Sequence, residues 1–181
     1  MSGPIYDTKN SRRGLCLVIS NKNFESSEEA KRKGTERDEF TIKKTFEWLQ
    51  FDVEVKVDLT AKMMMAELRR AANIDHRKYD MFVCFILSHG FEEGIFGTDL
   101  VYITKLQIRK LFYGNKCKSL LGKPKLFFIQ ACRGNATDSG TLLEEDSATI
   151  PPHEDLGQAS KELKTDGPSA TGLYPCSSCI Y

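Results

Sequence analysis

No stretch of this 181-residue chain is apolar for long enough to cross a bilayer as a helix. The longest apolar run, Met81 to Leu87, falls far short of the roughly 20 residues that a span needs. The opening residues, MSGPIYDTKNSRR, lack the apolar core of a secretory signal. An excess of charge of one sign is lacking as well. Lys and Arg number 26 against 25 Asp and Glu, a net charge of +1 at pH 7. That balance gives neither a nucleic acid nor an anionic membrane an electrostatic hold. There is no internal repeat. What remains is the profile of a globular protein, 40% hydrophobic and 28% charged, long enough to bury a core of its own. The expected location is the cytoplasm or the nucleus, with no membrane and no nucleic acid as partner.

Six cysteines stand at positions 16, 84, 117, 132, 176 and 179. In a reducing compartment they are expected as free thiols. Cys16 and Cys84 lie inside apolar runs and read as small buried hydrophobes. Cys117 lies in a basic loop and takes no role. Cys176-Ser-Ser-Cys179 has the spacing of a ligand pair, but one pair cannot fill a tetrahedral zinc site. Neither a metal nor another cofactor is expected.

Strand-like and helix-like patterns alternate along the first two thirds of the chain. Leu15-Cys-Leu-Val-Ile19, Met81 to Leu87 and Leu126-Phe-Phe-Ile129 are continuous apolar runs, as strands buried on both faces require. Val53-Glu-Val-Lys-Val57 alternates like a half-exposed strand. Between them, an amphipathic helix is expected over about Arg37 to Gln50. A second, over Ala61 to Ala72, has Thr60 as N-cap and Met63, Met64 and Met65 as core filler. A third runs from about Thr104 to Tyr113, with Gly114 at C′. This order predicts an α/β fold with a mostly parallel sheet covered by helices on both faces. Ligands bind at the carboxyl ends of such strands. After about Gly134 the chain turns rich in Ser, Thr, Asp, Gly and Pro. That part reads as a flexible tail, leaving a four-stranded sheet with one raw edge.

Two segments follow buried strands at the expected ligand end: Leu87-Ser88-His89-Gly90 and Gln130-Ala131-Cys132-Arg133-Gly134. A thiol there attacks a carbonyl when an imidazole stands close. Taken singly, either residue is as well explained as a polar loop residue or a buried thiol. Gln-Ala-Cys-Arg-Gly, however, is a signature of the caspases, whose histidine lies roughly 50 residues upstream. His89 stands upstream of Cys132 at comparable spacing.

The resemblance to the caspase family extends beyond this pentapeptide. Arg13-Gly-Leu-Cys-Leu, Asn21-Lys-Asn-Phe24, Gly34-Thr35, Ser88-His-Gly90, Ile95-Phe-Gly-Thr98 and Gly122-Lys-Pro-Lys-Leu126 fall in the family's order. It implies a caspase-like sandwich, here only its large-subunit part, across residues 13–134. Residues 1–12 form a short N-terminal segment and residues 135–181 a linker or tail. It implies that Cys132 forms an acyl-enzyme and that His89 serves as acid and then base. It implies further that the N–H groups of Gly90 and Cys132 form the oxyanion hole, that Arg32, assisted by Gln130, grips the substrate aspartate, and that the carbonyl of Ala30 orients the histidine. Without the resemblance, Arg32 reads as a solvated charge in Lys31-Arg-Lys33. Glu36 stands where the family usually has Asp.

The absence of a long segment before residue 13 resembles the family's executioners. The implied activity is cleavage of proteins after aspartate in programmed cell death. The implied partners are protein substrates, a caspase small subunit and a second protomer, in a dimer of heterodimers. That small subunit, with two further strands and a second arginine, is not recognisable after Leu156. Asp138, Asp146 and Asp166, each before a small residue, are the expected processing sites. The alternative reading is a truncated, silent form that pairs with full-length caspases. A papain-like enzyme is disfavoured, since that family carries cysteine before histidine.

Overall fold

The computed structural model describes residues 8–25, 31–131, 141–143 and 179–180. Strand β1 (Arg12–Ser20) is buried from Gly14 onward on both faces, which is why its sequence is apolar without alternation. It is the second strand of a sheet in which β2 (Phe51–Val57) comes first and β3 (Tyr79–Ser88), β6 (Lys125–Ala131) and β8 (Cys179–Ile180) follow it in that order. The strands β2, β3 and β6 run parallel to it. Strand β2, at the edge, has lower burial and correspondingly mixed residues. A mostly parallel sheet with helices on both faces is therefore what the chain forms.

The strand order explains where each helix lies. From β1 the chain steps to β2 in one direction, then crosses back to β3 and on to β6. Parallel crossovers are right-handed, so reversing direction moves the connecting helix to the opposite face. Helix α1 (Thr35–Trp48) accordingly packs Ile42 and Phe46 over Cys16, Val18, Phe51 and Val83. Helices α2 (Ala61–Asn73) and α3 (Lys105–Leu111) cover the other face. There Met64, Met65, Leu68, Ile108 and the adjoining Phe112 join Leu15, Leu17, Phe82, Ile86 and Phe127. Phe82 stacks on Phe112 with centroids 4.7 Å apart and meets Phe127 edge-on at 5.8 Å. The two faces are unequally covered. Over β3 and β6 on the α1 side, Phe85, Leu126 and Phe128 remain half-buried.

Local chemistry sets the helix ends. Gly34, at φ 85°, takes the left-handed conformation from which α1 starts. Thr60 caps α2 by accepting from the Met63 N–H at 3.3 Å. Thr104 and Gln107 form a capping box on α3.

Several expectations need correction. Helix α1 begins two residues earlier than expected and ends at Trp48. Met64 and Met65 fill the core, but Met63 points outward, half exposed. Helix α3 stops at Leu111 with Phe112 as C-cap, and Gly114 does not take positive φ. A Cβ on Gly114 would meet only the end of the exposed Leu121 side chain, which is free to shift, so neither conformation nor space demands glycine there. Cys117 is buried in spite of its basic neighbours. The raw edge is partly covered, and the tail contributes a strand to a second sheet as well. Strand β8 (Cys179–Ile180) pairs antiparallel with Phe127 and Phe128 of β6. The hairpin of β4 (Gly94–Phe96) and β5 (Val101–Thr104) gains a parallel third strand, β7 (Thr141–Leu142). Each is only two residues long, too short for a periodic pattern, and lies in a stretch whose composition is polar as a whole.

Candidate active site

All four parallel strands deliver their carboxyl ends to one edge. There the chain leaves β1 at Asn21 and β3 at His89. Ser88, the last residue of β3, is in register with Ala131, the last of β6. Cys132, the residue after Ala131, lies outside the described residues, as do Ala30, Asp138, Asp146 and Asp166.

His89 is held from both sides. Its carbonyl accepts from the Phe96 N–H at 2.9 Å, which ties it to the β4 hairpin. Its ring lies against Phe24, with centroids 4.6 Å apart and planes tilted by 45°. Phe24 is itself buried at the end of the β1 exit loop. The next residue, Glu25, donates its N–H to Thr98 at 3.0 Å. The imidazole is half-buried, so it is packed yet reachable.

Gly90 forms a bridge with Ile95 in which Phe91 N–H donates to Gly94 O and Phe96 N–H to His89 O. In such a non-hydrogen-bonded pair, the middle residue's own N–H points away from the partner strand. A Cβ on Gly90 would stand 2.6 Å from the Gly94 carbonyl oxygen and 2.9 Å from the Ala131 Cβ. Only glycine fits between the hairpin and the end of β6. The N–H of Gly90 is thus a donor turned out of the ladder beside the strand that leads to Cys132. That is the geometry an oxyanion contact uses.

Arg32 is not a freely solvated charge. It is half-buried, its N–H donates to Lys22 O at 3.1 Å, and its Nη1 donates to Asn21 O at 3.3 Å. Its own carbonyl accepts from Thr35 Oγ1 at 2.9 Å. Gln130 is exposed near the end of β6, in register with Leu87. Arg32 joins the exit of β1, so β3 separates the two. Neighbouring strands lie about 4.8 Å apart, which puts their anchor points on the order of 10 Å from each other.

The loop carrying Arg32 is braced by Asp58, whose Oδ1 accepts from the N–H groups of Lys22 at 2.8 Å and Asn23 at 3.0 Å. Its Oδ2 takes a bond of 2.6 Å from Asn23 Nδ2. Burial opposes charge on Asp58, but these donors outweigh it and hold the carboxyl below its ordinary range. Glu36 meets the Lys22 ammonium at 2.8 Å, which lowers its pKa.

Sequence reasoning gave no role to Asn21 or Phe24, although both stand in a quoted segment. Asn21 is fully buried. Its Oδ1 accepts from Leu59 N–H at 2.9 Å, and its Nδ2 donates to Leu59 O at 3.1 Å and Phe96 O at 3.3 Å. The available signal was positional: an amide and an aromatic directly after a buried strand. The thiols read as inert behave so. Burial pushes Cys16 up to about 12 and raises Cys84 as well. Among the described residues no cluster of His, Cys, Asp or Glu could hold a metal ion. Nor is any described helix long and apolar enough to cross a membrane.

Comparison with known proteins adds an independent line. The caspase domain model matches residues 13–180. Caspase-3 of Xenopus laevis is 45% identical over 150 residues, which cover 82% of this chain and 52% of that protein. Caspase-7 of Gallus gallus is 41% identical over 162 residues, covering 89% and 48%. Caspase-8 of Rattus norvegicus is 33% identical over 190 residues, covering 99% and 39%. The chain spans about half the length of the first two and less of the third.

Proposed function

This chain belongs to the caspase family, and from that premise we propose that it supplies the large-subunit half of a cysteine endopeptidase. The enzyme cuts proteins after aspartate in programmed cell death. The relatives support an executioner-like large-subunit region. The observation that carries the reading is the register of Ser88 with Ala131. It brings the exit toward His89 and the exit toward Cys132 to one edge on neighbouring strands, with Gly90 packed between them.

In this reading the Cys132 thiolate attacks the scissile carbonyl. The N–H of Gly90, with that of Cys132, stabilises the oxyanion in place of water. His89 protonates the leaving amine, then takes a proton from the water that hydrolyses the acyl-enzyme. Phe24 limits the ring's freedom without removing it from solvent. Arg32 and Gln130 bind the aspartate side chain, where a planar, permanently charged guanidinium suits a carboxylate. Asp138, Asp146 and Asp166 are the proposed processing sites. The buried free thiols Cys16, Cys84 and Cys117 fit a reducing compartment, the cytoplasm or nucleus.

The half-buried Phe85, Leu126 and Phe128 support a further partner, a small subunit packed beside α1 to complete the site. A second reading draws on the same surface: a silent form that occupies the small-subunit face of other caspases. One experiment separates the two. Residues 1–181 are treated with an aspartyl electrophile, alone and with an added small subunit, and the product of the completed assembly is assayed on a fluorogenic aspartyl peptide. The first reading expects labelling at Cys132 and turnover only with the small subunit. It also expects Cys132→Ala to abolish turnover with an unchanged fold. Stable association without labelling or turnover favours the silent form.

A further inference from the structure

Asn21 is a polar residue placed where the chain could have used an apolar one, and a buried amide has to be satisfied. Its side chain clasps Leu59 through two hydrogen bonds, at 2.9 and 3.1 Å, which fix the entry to α2. Its remaining amide hydrogen is shared among Phe96 O at 3.3 Å and Ser88 Oγ and Met64 Sδ, both at 3.4 Å. Ser88 Oγ donates to Phe96 O at 2.6 Å. The N–H of Phe96, in turn, holds the His89 carbonyl at 2.9 Å. The main chain of Asn21 is engaged as well: its N–H donates to Leu87 O at 2.8 Å, and its O accepts from Arg32 Nη1 at 3.3 Å. One residue therefore touches the ends of β1 and β3, the start of α2, the hairpin and Arg32.

We propose that Asn21 is the positioning residue that sets the aspartate-binding Arg32 in register with His89, an inference that rests on the functional reading above. Two branches leave this residue. One runs through Phe96 to the histidine and is shared with Ser88. The other runs through the Asn21 carbonyl to the guanidinium and bypasses Ser88; the Leu59 clasp holds the residue by its side chain, while Asp58, through the Lys22 N–H of the same peptide, holds the plane of the carbonyl. Spacing between the proton-transfer group and the aspartate receptor is thereby set by a neutral, rigid amide rather than by either reacting group.

The branches make separable predictions for the chain completed with a small subunit. Asn21→Ser is expected to lower kcat and to reduce discrimination between aspartyl and glutamyl peptides about tenfold, as loss of one or two net hydrogen bonds allows. Ser88→Ala is expected to lower kcat and leave that discrimination unchanged. Both are measured per active site, counted by titration with an irreversible inhibitor, so that unfolded protein does not enter the ratio. If Asn21→Ser does not fold, Asn21→Asp, which keeps the acceptor for Leu59 N–H, is read by the same ratio. Unchanged discrimination in the Asn21 variant would overturn the proposal and reduce Asn21 to a structural residue. A parent that cleaves nothing sinks the functional reading instead. The coupling is then judged in the chain itself by hydrogen exchange. The Phe96 amide should exchange about tenfold faster in Asn21→Ser while Val18 stays protected, and equal protection at Phe96 would overturn it.

Discussion

A histidine stands at each end of β3, and the two have become different things. His76, three residues before the strand, is fully buried. Its Nε2 lies 2.7 Å from the Ala71 carbonyl oxygen, so Nε2 carries the proton and Nδ1 is left as a buried nitrogen without a hydrogen-bond partner. Burial, aided by the nearby Lys123 ammonium, pushes its pKa below the ordinary value. A second proton would sit on Nδ1 with nothing to receive it. His89, one residue after the strand, is half-buried beside Phe24. Its main chain is fixed by the hairpin while its ring keeps access to solvent. The pinning groups differ accordingly. At the amino end Lys123 Nζ spends its donors on the carbonyls of His76, Arg77 and Tyr79, at 2.8, 3.2 and 2.5 Å. At the carboxyl end the neutral Asn21 and Ser88 brace the hairpin that holds His89, and the Asp58 carboxylate braces the loop after β1. Scaffold is built where polar groups are buried and exhausted, and chemistry is possible where the backbone is held and the side chain stays within reach of solvent.

The largest effect that would test this contrast falls at the carboxyl end. Arg32→Ala in the completed enzyme should lose selectivity for aspartate by hundreds-fold or more, the equivalent of roughly 3–5 kcal/mol for a buried ion pair deprived of one partner. Its thermal stability should change little, because the Arg32 side chain is only half-buried and its bond to the Asn21 carbonyl is long, at 3.3 Å. Equal losses on aspartyl and alanyl peptides would make Arg32 part of the scaffold. The converse holds for Lys123→Met. It should cost on the order of 3 kcal/mol, since charged hydrogen bonds contribute about 1.5–3 kcal/mol each. Denaturant unfolding measures this, with selectivity of the folded enzyme unchanged. A smaller effect comes from His76 and pH. Its folded pKa is lowered, so below the unfolded value of roughly 6.5 the unfolded chain binds the extra proton and stability falls with acidification. The slope from this residue is at most about 1.4 kcal/mol per pH unit. His76→Leu should remove that component between pH 6.5 and 5, and an unaltered slope would show that His76 does not titrate as its burial demands.

The sheet was legible because parallel strands buried on both faces leave an unmistakable mark, as in Leu15 to Ile19 and Met81 to Leu87. Thr60 was legible because an N-cap is a local device. Met63 was not separable from Met64 and Met65, since adjacent helical positions point in different directions and only the tertiary neighbours decide which is inside. The strands at Thr141–Leu142 and Cys179–Ile180 are too short to leave a periodic pattern. In the site, His89 and Gly90 were marked by their place after a strand, whereas Asn21 and Phe24 looked like ordinary loop residues. Their roles come from contacts with Leu59, Phe96 and His89, far away in sequence. Position after a strand already set His89 apart in the sequence, but the burial that makes His76 scaffold, and so completes the ranking of the two, shows only in the structure.

That ranking is tested most directly by turnover of the completed enzyme on a fluorogenic aspartyl peptide, measured per folded molecule for His89→Asn and His76→Asn side by side. The account predicts that His89→Asn falls to the level of the Cys132→Ala blank while His76→Asn keeps the parent's kcat. Normal turnover without His89, or loss of turnover per folded molecule without His76, would contradict it.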